Sequence, residues 1–423
     1  MWNKPWRLTE GIVIGCGLVI TGLLLQCTMG AIDWKLFAWP VNIIVLVLFV
    51  TAAVVMHLMR KRSYVCQWMS SHEAAISSMG WAVVLTIVMG LTRQAAGPSG
   101  HEHSLVDLIG FNRCLSWWPF VLIYVWLTLS LALTVLRRAS LFTLRNIPFM
   151  VMHTGLLLVL LCGTLGNADM QRLKMMTKTG QPEWRAQDDE GNIYELDLAI
   201  ALKSFTIDEY PPKLMIADIK TGNALPANKP VHIVLDSVGA TGNIMGWDVK
   251  VTKLYTHAAA VFDSTSVNYV EWFSHGATTA AYIEASKGDT KVSDWISCGS
   301  FMFPSKEVRL DSAVCLFMPE LEPLRYASAV KVLTKDGLSL EDTITVNKPL
   351  DVEQWKIYQL DYDREMGRWS ETSVFELVTD PWLPLVYTGI ALLLLGAVLL
   401  FLIPANKQQL TLTLTQTITQ TQT

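Results

Sequence analysis

Apolar residues along this chain fall into long unbroken blocks at both ends and into short alternating runs in the middle. Six blocks, at 11–32, 37–59, 74–91, 117–136, 148–166 and 382–403, each come close to the ~20 residues needed to cross ~30 Å of hydrocarbon. They predict an α-helical membrane protein with about six transmembrane helices. Between the fifth and sixth blocks the period changes to two. Residues 195–202 alternate, with Leu196, Leu198, Ile200 and Leu202 on one face, as a half-buried strand requires. Similar runs occupy 231–235, 247–254, 313–317, 329–333 and 355–360. Turn signals such as Lys335-Asp336-Gly337 and Thr221-Gly222-Asn223 separate them. The expected fold is therefore a membrane region with one large extracytoplasmic β-rich domain, a sandwich or an open barrel, inserted between helices five and six. The boundaries are 1–167 for the five-helix region, 168–380 for the β domain and 381–404 for the last helix. A Thr/Gln repeat at 405–423 is expected to be a disordered cytoplasmic tail.

Charge orients this arrangement. Lys and Arg concentrate in the N-terminus, in the 60–73 loop with Arg60-Lys61-Arg62, and in the 137–147 loop. The 92–116 loop carries only Arg93 and Arg113. The positive-inside rule then makes both termini cytoplasmic and the β domain external. The first block has the charge order of a signal peptide, with Lys4 and Arg7 ahead of it, but it is too long for one and lacks a cleavage site. A net charge of −4 over 423 residues provides no basic face for nucleic acid. The sequence has no Gly-rich phosphate loop, no HExxH and no CxxC. Most of its seven cysteines lie in or beside the membrane blocks, where a thiol acts as a small hydrophobe. Aromatic residues at the block edges (Trp34, Trp39, Trp117, Trp118, Trp382 and Tyr387) read as an interfacial belt before a tryptophan-lined haem platform.

The candidate chemistry is sparse. His57 and His153 are the histidines inside the membrane, both in its cytoplasmic half. Ionisable groups there are costly and usually face a bundle interior. Each imidazole is either an axial ligand for haem iron or a polar group that bonds a neighbouring helix or snorkels to the headgroups. His72 reads as an interfacial residue, and His101-Glu102-His103 as a solvated loop before a metal site. His232, His257 and His275 are scattered at no ligand-like spacing. Cys298 and Cys315 are either a disulfide pair, if the outer compartment is oxidising, or two buried thiols. No residues read as catalytic.

Towards the end of the β domain the chain reads Val346-Asn347-Lys348-Pro349-Leu350, then Trp355-Lys356-Ile357-Tyr358-Gln359 and Asp361-Tyr362. This resembles the V-N-x-P-L…x-x-Y-Q-x-x-Y signature of the ResB (CcsB) family of System II cytochrome c biogenesis, in the form found in Bacteroidetes-type bacteria. Its signature positions here are Asn347, Pro349, Leu350, Tyr358, Gln359 and Tyr362. Three further stretches look similar: Leu202 to Pro211, Asp380-Pro381-Trp382-Leu383-Pro384, and Pro148-Phe149 with His153-Thr154-Gly155.

The resemblance implies a subunit of the bacterial inner membrane that acts with a ResC (CcsA)-like partner. Together they would export haem b and attach it to the CxxCH motifs of apocytochrome c in the periplasm. It also implies that a membrane histidine ligates haem; His57 sits in the matching early span and His153 competes for the role. The partner's tryptophan-rich WWD motif is missing, since Trp117-Trp118-Pro119 does not match it, so the chain is not expected to complete the reaction alone. The rival expectation is a scaffold that binds no haem but captures apocytochrome c and holds the partner. A transporter subunit fits less well, because intramembrane charges are few and no repeated halves are visible.

Overall fold

A computed structural model of the chain describes residues 2–94, 110–140, 143–263 and 266–402. The Thr/Gln tail and His101-Glu102-His103 lie outside the described residues. The chain divides into two compact units, one from Met1–Met170 with Asp380–Thr423 and the other Gln171–Thr379.

Six described helices in the first unit are long and apolar enough to cross a membrane: α1 (Leu8–Met29), α2 (Val41–Met59), α4 (His72–Leu91), α5 (Trp118–Ala139), α6 (Ile147–Gly166) and α7 (Leu383–Leu402). A short α3 (Tyr64–Met69) joins α2 to α4. Local chemistry fixes the helix starts. Pro119 and Pro148 occupy the first turns of α5 and α6, where their missing N–H costs nothing. The Ser71 hydroxyl accepts from Ala74 N–H to cap α4. The second span starts at Val41, four residues later than hydropathy suggests, because the chain first makes a 3-10 turn at Trp34–Phe37 and then meets Pro40.

Packing in this unit depends on small residues. A Cβ added to Gly155 of α6 would lie 2.5 Å from the Gly389 carbonyl and from Leu393 N on α7, so the two backbones touch. Elsewhere α3, α4 and α5 share a core of Trp68, Ala74, Leu85, Ile123 and Trp126, closed by Trp117 and packed against Ile14 and Leu18 of α1. Trp117 and Trp382 are 3% and 8% exposed. Their rings pack inside the unit, whereas Trp39 and Tyr387 are exposed.

The described strands of the second unit form three antiparallel sheets. Eight strands are ordered β14 (Ser339–Thr345), β13 (Pro323–Thr334), β3 (Ile193–Glu209), β2 (Pro182–Gln187), β1 (Gln171–Lys178), β17 (Thr372–Thr379), β16 (Trp355–Tyr362), β15 (Leu350–Val352). The first and last strands of the unit are neighbours, with Gln171 opposite Thr379. The sheet rolls until β14 meets β15 and β16, and its inner face forms its own core around Ile200, Val332, Ile357 and Phe375.

A five-stranded sheet comprises β6 (Thr241–Ile244), β7 (Trp247–Phe262), β8 (Val267–Glu271), β9 (Thr278–Lys287) and β10 (Thr290–Ser297). A four-stranded sheet comprises β4 (Lys213–Asp218), β5 (His232–Val234), β11 (Val308–Arg309) and β12 (Val314–Phe317). These two sheets close over a common core that includes Leu214, Ile216, Trp247, Ile283 and Leu316. The unit thus contains both expected forms, one rolled sheet and one sandwich. The strand expected at 195–202 is the middle of the 17-residue β3, whose last third is polar on one face and carries Phe205 on the other.

Candidate functional site

His57 lies in the last turn of α2, which ends at Met59 and is followed by Arg60. Its ring is part-buried, and Nδ1 is fully buried without a hydrogen-bond partner among the described residues. Leaving such a nitrogen unpaired costs about 1–3 kcal/mol.

His153 lies in the second turn of α6. Its Nδ1 is 2.9 Å from the carbonyl oxygen of Phe149, one turn earlier. A carbonyl only accepts, so Nδ1 is the donor and the neutral ring keeps its lone pair on Nε2. Metal-binding imidazoles are commonly held this way, with the second nitrogen committed to a backbone oxygen. The Phe149 ring fixes the orientation further, stacking on the imidazole at 3.7 Å and 21°. With its lone pair on Nε2, His153 has the donor chemistry of a ligand to haem iron.

The helices do not bring the two imidazoles into mutual contact. No hydrogen bond or ring contact joins His57 to His153 among the described residues. Where α2 packs on α6, it does so through Ile43, Val45 and Leu46 against Leu158, Cys162 and Leu165. Ile43 is roughly 21 Å along the helix from His57 at ~1.5 Å per residue. An apolar cavity of about 220 Å³ also lies among α2, α5 and α6, near the Tyr124 hydroxyl, which donates to Leu160 O. Neither histidine lines it.

At the other end of α6, Asp169 forms a junction that the sequence reading overlooked. Its carboxylate accepts from Trp39 N–H at 2.7 Å, Asn42 Nδ2 at 2.6 Å and Trp382 Nε1 at 2.7 Å. Burial acts to raise its pKa, but these three donors outweigh burial and hold the carboxyl below its usual range. It ties the start of α2 and the approach to α7 to the end of α6. Asn42, a lone amide in an apolar block, was the available signal.

In the β unit the family-signature residues serve the sheet. Asn347 has φ +66° in the turn between β14 and β15, where Lys348 N–H bonds Thr345 O. Asn tolerates this left-handed position better than most residues. Pro349 leads into β15, and Leu350 is buried in the rolled core. Gln359 sits at a bulge between β16 and β17, its amide donating to Asp361 O. Tyr362 stacks on Phe205 at 5.0 Å and lies against Tyr326 at 5.1 Å, tying β16 to β3 and β13. Tyr358, half-buried on β16, pairs opposite Glu376 of β17.

The remaining residues singled out in the sequence stand apart from these. Cys298 and Cys315 are free thiols with separate partners, Cys298 near Thr279 O and Cys315 near the Glu307 carboxylate. Burial, reinforced by Glu307, pushes the Cys315 pKa up to about 11. His232 lies on β5, and His72 is the exposed first residue of α4. His257 and His275 both lie against Trp369, edge-on at 6.2 Å and tilted at 5.4 Å. Burial and then the charge of Arg368 lower the His257 pKa.

Two comparisons with known proteins bear on this arrangement. A search of curated proteins returns no match. Residues 276–372 match the model of the ResB-like family, from the approach to β9 through the first residue of β17. That span encloses the whole V-N-x-P-L and Y-Q-x-x-Y signature and supports a role in cytochrome c biogenesis. Over residues 276–372 this chain is similar to the ResB-like family.

Proposed function

We propose that this protein is a haem-handling membrane subunit of cytochrome c biogenesis that works with a ResC/CcsA-like partner. The observation that carries this reading is His153. It is an imidazole in a membrane-length helix, with Nδ1 bonded to Phe149 O and Nε2 left with a lone pair. His57, with its unpaired buried Nδ1, is the second candidate ligand.

The charge pattern supports a bacterial inner-membrane protein with both termini cytoplasmic and the β unit periplasmic. Both histidines then lie in the cytoplasmic half, where haem b would be taken up. Attachment to apocytochrome c joins each reduced cysteine thiol of CxxCH across a haem vinyl group, and no side chain of the β unit need supply a nucleophile. The contribution of the β unit is to hold apocytochrome and partner in place, since positioning alone accounts for much of the barrier in reactions of this kind.

The test is the haem content of the complex purified with its partner. His153→Ala is expected to lower it several-fold and His57→Ala to lower it less; unchanged content in both variants would remove the ligand assignment. One observation favours the scaffold alternative: the apolar cavity described in the membrane unit reaches neither imidazole. On that reading the haem sites belong to the partner and the chain purified alone carries no haem.

A further inference from the structure

His153 is part of a larger constellation. Arg138, the penultimate residue of α5, places its guanidinium 4.9 Å from the centre of the Phe149 ring, the ring that also stacks on His153. An imidazole with a free Nε2 lone pair and a cation are thereby registered against one phenyl group.

A guanidinium set over a ring face is held by its charge and keeps N–H donors for other partners. Those donors are poorly used. Nη1 reaches Asn146 Oδ1 at 3.5 Å, the outer limit of a hydrogen bond, and no carboxylate pairs with Arg138 among the described residues. Arg138 is nevertheless part-buried. Arg60, three residues beyond His57, and Arg137 also lack salt bridges among the described residues, so this end of the helices is rich in unmatched positive charge. Glu73 is the acidic group whose charge acts on Arg137.

A part-buried guanidinium with its edge free is suited to a carboxylate, which it can grip with two parallel hydrogen bonds. We infer that Arg138, held on Phe149, recognises a propionate carboxylate of the porphyrin whose iron His153 binds. This rests on the haem-handling reading above and adds to it a basis for selectivity. The site would distinguish porphyrins that carry free carboxylates from those that do not. The competing source of an anion is a lipid phosphate, which makes no demand on the porphyrin.

The experiment titrates the full-length protein with haemin and with haemin dimethyl ester, which keeps the ring and iron but blocks both carboxylates. Binding is read from the Soret band in the wild type and in Arg138→Gln, Arg138→Lys and His153→Ala. Arg138→Gln is expected to weaken haemin by about tenfold or more while leaving the ester as in the wild type. Arg138→Lys is expected to recover only part of the loss, because an ammonium cannot grip a carboxylate with two parallel bonds. His153→Ala is expected to weaken both ligands. Equal weakening of haemin and ester in Arg138→Gln would reduce Arg138 to a structural prop. No change with either ligand would assign it to lipid headgroups. A wild-type protein that binds neither porphyrin would overturn the haem-handling reading and this inference with it, a failure visible without any Arg138 variant.

Discussion

The β unit and the membrane unit solve the packing problem in opposite ways. In the β unit alternation selects the partner, because one face of each strand is apolar and the rolled sheet and sandwich close over those faces. In the membrane unit most faces are apolar, so alternation selects nothing. Contacts there are chosen by missing side chains, as at Gly155 and Gly389. The comparison separates form from chemistry. The family signature lies in the β unit and serves a turn, a core position, a bulge and an aromatic stack, while the candidate ligands lie in helices whose sequence is otherwise featureless.

The largest expected effect would break the β side of this comparison. Phe375 is fully buried in the rolled core, and Phe375→Ala should cost about 3–5 kcal/mol, read from denaturation followed by far-ultraviolet circular dichroism. On the membrane side, Gly155→Ile should cost about 1–3 kcal/mol or more, because the obstructing atoms are backbone. Gly163→Ala in the same helix meets nothing within 4 Å and should leave the melting temperature unchanged. If both glycines tolerated substitution equally, the small-residue account of α6 and α7 would fail.

A smaller effect belongs to Asn347. Valine there pays for a left-handed backbone with about 1–2 kcal/mol, whereas glycine should be neutral. Loss of haem handling in Asn347→Gly, with stability intact, would show that the signature asparagine has a chemical role after all.

The subtlest prediction concerns Glu209. Its carboxylate is 3.0 Å from Arg368, yet burial raises its pKa and the arginine only partly offsets this. The pair is part-buried, so desolvation is the term that dominates. A raised native pKa means the folded state holds its proton after the unfolded chain has released it. Stability from that proton is full below the ordinary carboxylate range and is lost as pH rises through the raised native value. Glu209→Gln should flatten this acid-side decline in melting temperature; an unchanged profile would exclude Glu209 as its source.

How much of this was legible in the sequence follows the same division. All six membrane helices could be read from hydropathy, and strands such as 247–254 and 355–360 from alternation. Their ends could not be. The second span is shortened by a turn and Pro40, and β3 and β7 extend well past the alternating cores that reveal them. The convergence of His257 and His275 on Trp369 was invisible because it joins three separate segments. Asp169 was hidden for a similar reason, since its three donors come from segments as far apart as Trp39 and Trp382. The stacking of Arg138, Phe149 and His153 needed the crossing of α5 and α6, which no periodicity in two nearly uniform apolar helices encodes.

The central claim is that this chain itself binds haem through His153. It is tested most directly by absorption spectra, with and without reductant, of the protein purified alone. The account predicts haem b bands in the wild type that are lost in His153→Ala and kept in Gly163→Ala. Bands that appear only when the partner is present, and that ignore both His57 and His153, would contradict it.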